Sequence, residues 1–367
     1  MLLIGIISEV LLYLCFSFIV GSFLLYIVPS SYRPDIHIPK GAVMLAVAGI
    51  AFFSFIPVLQ LVLHLYQDIG LSQTLQSVLF TFEVGKGWIF TYILSNLLFI
   101  FVVWFDYRKK PMYSYIGIAF VLCLIFSLAW SGHASSLVQW PGFFAHTFHF
   151  IAVTFWVGIL LVVSWFSKNH ANWLNFLKWF TPVAIVCFVI TIVTGLVLMT
   201  FVVDFKDYTN AWLLSYGQSL LIKHLLIIPL LVYAVINSLL IRKRLKKDIE
   251  FNPKPWTKAE SIVILLIFSA TAALGQQSPP HDLLSTLRSE GPSKLFTMLY
   301  QGPFQPGMSV QLALNAMSTT LLILALLFIA LTVFSYIKKA PAIFSFLMSV
   351  LFVCSSYLSL ILSIKIG

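Results

Sequence analysis

The chain has 367 residues, of which 60% are hydrophobic and only 9% are charged, and its formal net charge is +10. A soluble domain carries roughly a quarter charged residues, so this composition excludes a chain built mainly of soluble domains. Apolar stretches of about 20 residues recur along the whole length, and each can cross a hydrocarbon core of about 30 Å as a helix. We therefore predict an all-α, polytopic transmembrane helix bundle. Its positive charge has to be assigned loop by loop and is not a sign of nucleic-acid binding.

We predict about ten spans, with eight as the lower limit. The first stretch has no basic n-region and no small-residue cleavage site, so we expect a retained helix rather than a signal peptide. The segment from Gly70 to Glu83 is too short and polar to span, and it is predicted to be an interfacial helix. Pro182 and Pro229 lie inside spans, where neighbouring helices can accommodate a kink. The predicted spans are residues 3–28, 41–66, 86–105, 112–131, 143–166, 173–202, 212–241, 259–277, 309–336 and 341–364.

Basic residues alternate between the predicted loops. With the N-terminus outside, every inside loop holds at least two Lys or Arg residues, and the loop after the seventh span holds seven. This alternation is what the positive-inside rule expects, so we predict a multi-pass protein of the cell membrane with both termini outside. The outer face would then hold five histidines, and one would lie deeper in the seventh span. The five are His64, His133, His146, His149 and His281, and the deeper one is His224.

Three of the eight histidines, His133, His146 and His149, fall within seventeen residues. His146 and His149 are spaced i, i+3, so a helix places them on one face. His133 is expected to end the preceding span, with a short uncharged turn after it. Imidazole suits copper, zinc, iron and nickel, so the three predict an outward-facing metal site. A lone histidine near a helix end is more often an interfacial residue, which applies above all to His64, and the role of His281 is left open.

Lys223 and His224 are neighbours inside the predicted seventh span. An ionisable residue inside a membrane is costly and is usually paired or functional. We therefore predict His224 as a deeper metal-binding position and place Lys223 on the transport path, where its charge would repel a cation. The alternative for Lys223 is a structural ion pair or a contact with backbone carbonyls.

Several motifs follow one another in the region from about residue 115 to 280. They are GHA (Gly132–Ala134), HTFHFIAVTFWVGIL (His146–Leu160), YGQSLLIKHLL (Tyr216–Leu226), and Glu260 leading into ATAALGQQSPP (Ala270–Pro280). In this order they resemble the copper-resistance protein D (CopD) family of membrane proteins. The resemblance implies an inner-membrane protein of copper uptake or copper tolerance, with copper as the bound or transported ion.

Position by position, the resemblance implies that His133, His146 and His149 contact copper and that Lys223 matches the helix lysine of the family. Some relatives are fused to, or encoded with, a small copper-binding β-sandwich that has no counterpart in this sequence. A periplasmic or extracellular copper-binding protein is therefore an expected partner, beside the copper ion and membrane lipid. We divide the chain into N-terminal helices (1–110), a CopD-like core with the His cluster (111–280), an extracytoplasmic loop (281–307) and a C-terminal helix pair (308–367).

The sequence also limits how transport would be driven. It has no G-x-x-x-x-G-K-[ST] phosphate loop, and its loops are too short for an ATP-hydrolysing domain. Transport would then be passive, ion-coupled or driven by the membrane potential. A potential that is negative inside favours inward movement of a cation by about 2.3 kcal/mol per charge per 100 mV, so uptake is more natural than export.

Two other functions stay open at this point. Histidines on adjacent helices can hold a b-type haem, and His149 with His224 would be such a pair in an electron carrier. A factor that hands copper to a respiratory oxidase is the third possibility. The sequence shows no Ser-His-Asp or Cys-His constellation, and Glu9 and Glu83 stand apart from each other, so we do not expect an enzyme.

Overall fold

The computed structural model of the protein describes residues 1–280, 282–300, 302, 307 and 309–366, without the side chain of His133. The described chain is almost entirely helical, which confirms the predicted all-α fold. Its α-helices are α1 (Leu2–Ile27), α2 (Lys40–Phe53), α3 (Ile56–Ile69), α4 (Leu71–Phe80), α5 (Glu83–Trp104), α6 (Pro111–Trp130), α7 (His133–Phe166), α8 (Trp173–Thr200), α9 (Ser215–Val235), α10 (Ile241–Leu245), α11 (Lys254–Gly275), α12 (Leu283–Glu290), α13 (Lys294–Leu299), α14 (Ala316–Ile337) and α15 (Ala342–Leu362).

Within the described residues, ten helical segments are long and apolar enough to cross a membrane. They correspond one to one with the predicted spans, which confirms a multi-pass membrane protein. The predicted interfacial segment contains α4. The ninth predicted span begins later than expected, because Val310–Leu312 (β1) pairs with Ile364–Ile366 (β2) as a short antiparallel ribbon.

The chain forms two compact units, Met1–Phe201 and Val202–Gly367. The division of the chain into the segments 1–110, 111–280, 281–307 and 308–367 was based on sequence motifs, and it stays a prediction. In the first unit, α1 packs closely against α7. A Cβ atom added to Gly21 would lie 2.0 Å from the carbonyl oxygen of Gly158, so only glycine allows this approach. The ring centroids of Tyr13 and Phe150 are 5.7 Å apart. Tyr13 precedes Gly21 in α1, and its partner Phe150 precedes Gly158 in α7. The two helices therefore run parallel.

In the second unit, α9 is surrounded by α11, α14 and α15. The loop from Val202 to Leu214, which precedes α9, is held onto this core. Gln218 donates a hydrogen bond to the carbonyl oxygen of Trp212 at 2.5 Å, and it accepts one from the hydroxyl of Tyr357. The bond to Trp212 is buried and ties the loop to α9, and the bond from Tyr357 ties α9 to α15.

Large aromatic side chains are exposed where α6 ends and α7 begins. Trp130, Trp140, Phe144 and Phe148 are all exposed, and the rings of Trp130 and Trp140 pack edge to face. Such aromatic groups are enriched where a helix passes from hydrocarbon to headgroups. This surface is consistent with contact to membrane lipid.

Candidate functional site

The connection between α6 and α7 is shorter than the sequence suggested. α6 ends at Trp130 and α7 begins at His133. His133 therefore starts a helix, and the expectation that it ends the preceding span is wrong. The hydroxyl of Ser135 donates to the carbonyl oxygen of Ala129 at 2.6 Å, which holds the first turn of α7 against the end of α6.

α7 is broken six residues after it begins. Val138 and Gln139 leave the helical conformation, and Gln139 has a φ of 47°. Pro141 follows the break, and it has no N–H group to continue the helical hydrogen bonds. At Gly142, an added Cβ atom would lie 1.9 Å from the carbonyl oxygen of Ala134. The first turn of α7 is therefore folded back onto the helix that follows.

Because of this break, the start of α7 lies close to His146. In a straight helix, His133 and His146 would be separated by about 20 Å at 1.5 Å per residue. Instead, Gly132 packs on the imidazole of His146, and an added Cβ atom at Gly132 would lie 2.9 Å from His146 Nδ1. Because Gly132 directly precedes His133, the backbone of His133 lies close to His146. A contact between the two imidazoles stays a prediction.

His149 faces α8. Its Nδ1 lies 3.0 Å from Thr194 Oγ1, and an added Cβ atom at Gly195 would lie 3.3 Å from His149 Cε1. The hydroxyl of Thr194 donates its own hydrogen to the carbonyl oxygen of Ile190 at 2.6 Å. It can therefore accept a hydrogen bond from His149, and in that arrangement the imidazole hydrogen lies on Nδ1 and the lone pair on Nε2. Metal-binding histidines commonly donate one ring N–H in this way and bind metal through the other nitrogen.

Glu9, a carboxylate in α1, lies at the same level of the first unit as His146. Glu9 accepts a hydrogen bond from the hydroxyl of Tyr13, and the ring centroids of His146 and Phe150 are 6.4 Å apart. Tyr13 packs on Phe150, and α1 runs parallel to α7. Glu9 precedes Tyr13 by one turn, as His146 precedes Phe150, so Glu9 and His146 lie on the same side of the aromatic contact. The sequence could have indicated Glu9 as a functional residue, because it is a single glutamate inside an apolar helix, where a charge is energetically unfavourable.

The remaining histidines of the predicted outer cluster are not gathered here by the described structure. His64 is exposed on α3, and His281 lies outside the described residues. Where side chains are described, no three His, Cys, Asp or Glu residues lie close enough together to hold a metal ion. The described side chains do not include that of His133, so a metal site made of His133, His146 and His149 stays a prediction.

In the second unit, His224 is capped by the loop before α9. The hydroxyl oxygen of Tyr208 lies 2.7 Å from His224 Nδ1, and the rings of Tyr208 and Trp212 pack edge to face. Burial raises the pKa of Tyr208 to about 12, so the phenol keeps its proton at neutral pH and can donate it to Nδ1. Lys223 lies beside His224 and is partly buried. A metal ion could bind at Nδ1 only after Tyr208 has moved.

Two family models match the chain. Residues 174–274 match the model described as copper resistance protein D. Residues 1–143 match the model described as the copper resistance protein D-like N-terminal domain. Together the matches cover more than half of the chain. The chain belongs to the copper resistance protein D family.

One curated relative is the copper transport protein CutJ of Bacillus subtilis (strain 168). It is 26% identical over 219 residues, which are 56% of this chain and 39% of the relative. The chain thus matches well under two thirds of the relative's length. No solved structure matches the chain.

These findings confirm the family that the motifs indicated and make this a copper-related, multi-pass membrane protein. The family and the relative are named for copper resistance and copper transport, not for an enzyme activity. His146 and His149 lie between the two matched segments, whereas Lys223, His224 and Glu260 lie inside the copper resistance protein D match. Neither the comparisons nor the contacts of His149 and His224 support the alternative of a haem ligand pair.

Proposed function

We propose that this protein moves copper into the cell across the membrane without hydrolysing ATP. Copper is captured from outside at the start of α7 and reaches His224 at a later step. The break of α7 at Val138–Gln139 is the observation that carries the proposal. It brings the Gly132–Ala134 motif back to the helix face of His146 and His149, so residues from two motifs can act on one ion.

The capture step uses neutral imidazoles. The hydrogen bond between His149 Nδ1 and Thr194 orients the imidazole, and Nε2 is the atom proposed to bind copper. The carboxylate of Glu9 is proposed to offset the positive charge of an ion held by His146 and His133. Imidazole binds copper in either common oxidation state, so the proposal is not restricted to one of them.

His224 is the proposed second binding position. Tyr208 occupies its Nδ1, so the position becomes available only when that bond opens. The adjacent Lys223 would repel a cation while its ammonium is charged, which limits passage. An inside-negative potential supplies the driving force, about 2.3 kcal/mol per charge per 100 mV.

Copper accumulation in cells tests the capture role. A His146→Ala/His149→Ala double variant should lose most copper accumulation relative to wild type at equal expression. His170→Ala is the matched control, because His170 lies in the connection between α7 and α8, away from the capture region. Unchanged accumulation in the double variant would overturn the capture role.

Two further measurements separate the competing functions. A Soret band in the absorbance spectrum of the purified protein would favour haem binding and electron transfer. Loss of respiratory oxidase activity without a change in cellular copper would favour copper delivery to the oxidase.

A further inference from the structure

A polar pair is buried where α9 passes into α10. The connection is a π-helical turn, Ile236–Leu240, and such turns are rare and frequent at functional sites. Asn237 lies in this turn and reaches α11. Its Nδ2 donates to Glu260 Oε2 at 2.6 Å and to the carbonyl oxygen of Trp256 at 3.3 Å. The proposed copper route does not use this pair.

Both side chains are shielded from solvent. Glu260 is 3% exposed and Asn237 is 6% exposed. Among the ion pairs of the described residues, none includes Glu260. A buried carboxylate without a cation is strongly disfavoured, whereas a neutral carboxylic acid carries no such penalty.

The hydrogen bonds point the same way. Asn237 Oδ1 is buried, and no donor reaches it in the described part of the chain. The amide is not reversed, because its Nδ2 also faces the carbonyl oxygen of Trp256, which can only accept. A primary amide and a carboxylic acid can form two bonds, one from N–H to the acid carbonyl and one from the acid O–H to the amide oxygen. The first bond is present, and a proton on Glu260 would supply the donor for the second.

We propose that Glu260 and Asn237 form a proton-binding site. Uptake of a proton from water forms one O–H bond on the Glu260 carboxylate, and the resulting acid pairs with the amide of Asn237. Release breaks that O–H bond and returns the proton to water at the end of the unit where the basic residues of α10 and α11 lie.

The surrounding groups fit a proton site at this end of the unit. Tyr233 on α9 is fully buried, and its hydroxyl donates to Ser345 Oγ on α15 at 3.0 Å. Ser345 in turn donates to the carbonyl oxygen of Thr332, so α14 and α15 offer hydroxyl groups here but no carboxylate. Among the described residues, Tyr233 on α9 interacts electrostatically with Glu260. The basic residues on the elements that carry the pair are Arg244 on α10 and Lys254 and Lys258 on α11, and Tyr336 on α14 packs its ring on Trp256.

Coupling of this proton to copper movement rests on the proposed function, whereas the proton site itself does not.

Infrared spectroscopy of the full-length protein in lipid tests the site directly. Wild type should show the carbonyl stretch of a protonated carboxylic acid, which shifts in D₂O and disappears at alkaline pH. Glu260→Gln keeps the shape of the side chain and should lose this band. Asn237→Leu should keep the band at a shifted frequency, because one hydrogen-bonding partner is removed.

Glu290→Gln is the control variant, since Glu290 is an exposed carboxylate at the end of α12, and it should leave the band unchanged. The proposal is overturned if wild type and Glu260→Gln give the same spectrum at every pH, since Glu260 would then be ionised throughout. An unshifted band in Asn237→Leu would overturn the part assigned to Asn237.

The same variants in liposomes test the coupling. Copper uptake by wild type should depend on the pH inside the liposome, and uptake by Glu260→Gln should lose that dependence. If copper is not transported at all while the infrared band is present, the proposed function fails and the proton site stands. If uptake by both proteins shows the same pH dependence, the coupling is overturned.

Discussion

A single hydroxyl can decide which nitrogen of a histidine is available to a metal. Thr194 Oγ1 lies 3.0 Å from His149 Nδ1 and can accept its hydrogen, because the hydroxyl donates to the carbonyl oxygen of Ile190. Such a bond orients the imidazole before any ion arrives. Loss of such an outer hydrogen bond typically weakens metal binding by about 10- to 100-fold.

Replacing the hydroxyl of Thr194 should therefore weaken copper binding. We expect Thr194→Val to lower copper affinity about tenfold and Thr194→Ser to keep wild-type affinity, as measured by copper titration of the purified protein. Thr191→Val is the control, because the hydroxyl of Thr191 donates to the carbonyl oxygen of Cys187 in its own helix. Equal affinity of Thr194→Val and Thr191→Val would show that the bond has no part in copper binding.

Gly132 offers a second test at the scale of one residue. Its φ of −81° suits any amino acid, so Gly132→Ala acts through the space that the methyl group takes beside His146 and, at 3.3 Å, beside the carbonyl oxygen of Leu128. The new methyl group would lie 2.9 Å from that nitrogen and push the ring aside. We expect roughly a tenfold loss of copper affinity, comparable to the loss of an outer-shell partner, with little change in thermal unfolding.

Gly41→Ala supplies the comparison for this substitution. Gly41 lies in α2, and an added Cβ atom there meets nothing within 4 Å. Copper affinity should stay at the wild-type value. Wild-type affinity in Gly132→Ala as well would separate His146 from copper binding.

The sequence could identify these histidines but not their partners. The i, i+3 spacing of His146 and His149 is a property of one helix and can be read locally. Thr194 is 45 residues from His149, and its role depends on how α7 packs against α8. Glu260 and Asn237 lie on separate helices for the same reason. Nothing in the order of residues shows which neighbour a buried polar group will meet.

At the scale of elements, the apolar helices were predictable and their interruptions were harder. The length and hydropathy of the ten spans follow directly from the requirement to cross a membrane. A short uncharged turn was expected between His133 and the helix of His146, and the structure instead has a broken helix that continues through Pro141. A proline permits both outcomes, because it removes one hydrogen bond without preventing helix on either side.

The loop from Val202 to Leu214 shows how a connection can reach a functional residue. Tyr208 caps His224, and we expect Tyr208→Phe to remove the bond while the ring stays packed on Trp212. His224 would then be available to a cation, so copper flux through liposomes should rise several-fold. Tyr216→Phe is the matched control, since Tyr216 is a buried tyrosine at the start of α9. Lower flux in Tyr208→Phe than in the control would mean that the phenol assists passage and does not block it.

For the whole molecule, the direction of transport depends on the orientation of the chain in the membrane. The alternation of basic residues predicts that the N-terminus is outside. With that orientation, the capture region of α7 faces outward and the basic residues after α9 face the cytoplasm. An inside-negative potential then pulls a bound cation from the capture region inward. With the opposite orientation, the same potential would oppose export from that site.

Thiol accessibility in intact cells can decide the orientation. The native cysteines Cys15, Cys123, Cys187 and Cys354 are first replaced, and one new cysteine is placed at Lys206 or at Lys246, both of which are exposed. We expect a membrane-impermeant thiol reagent to label Lys206→Cys in intact cells and Lys246→Cys only after permeabilisation, because the first position lies before α9 and the second after α10. The reverse pattern would place the His146 region in the cytoplasm. Copper capture from outside would then be impossible, and the potential would have to be overcome rather than used.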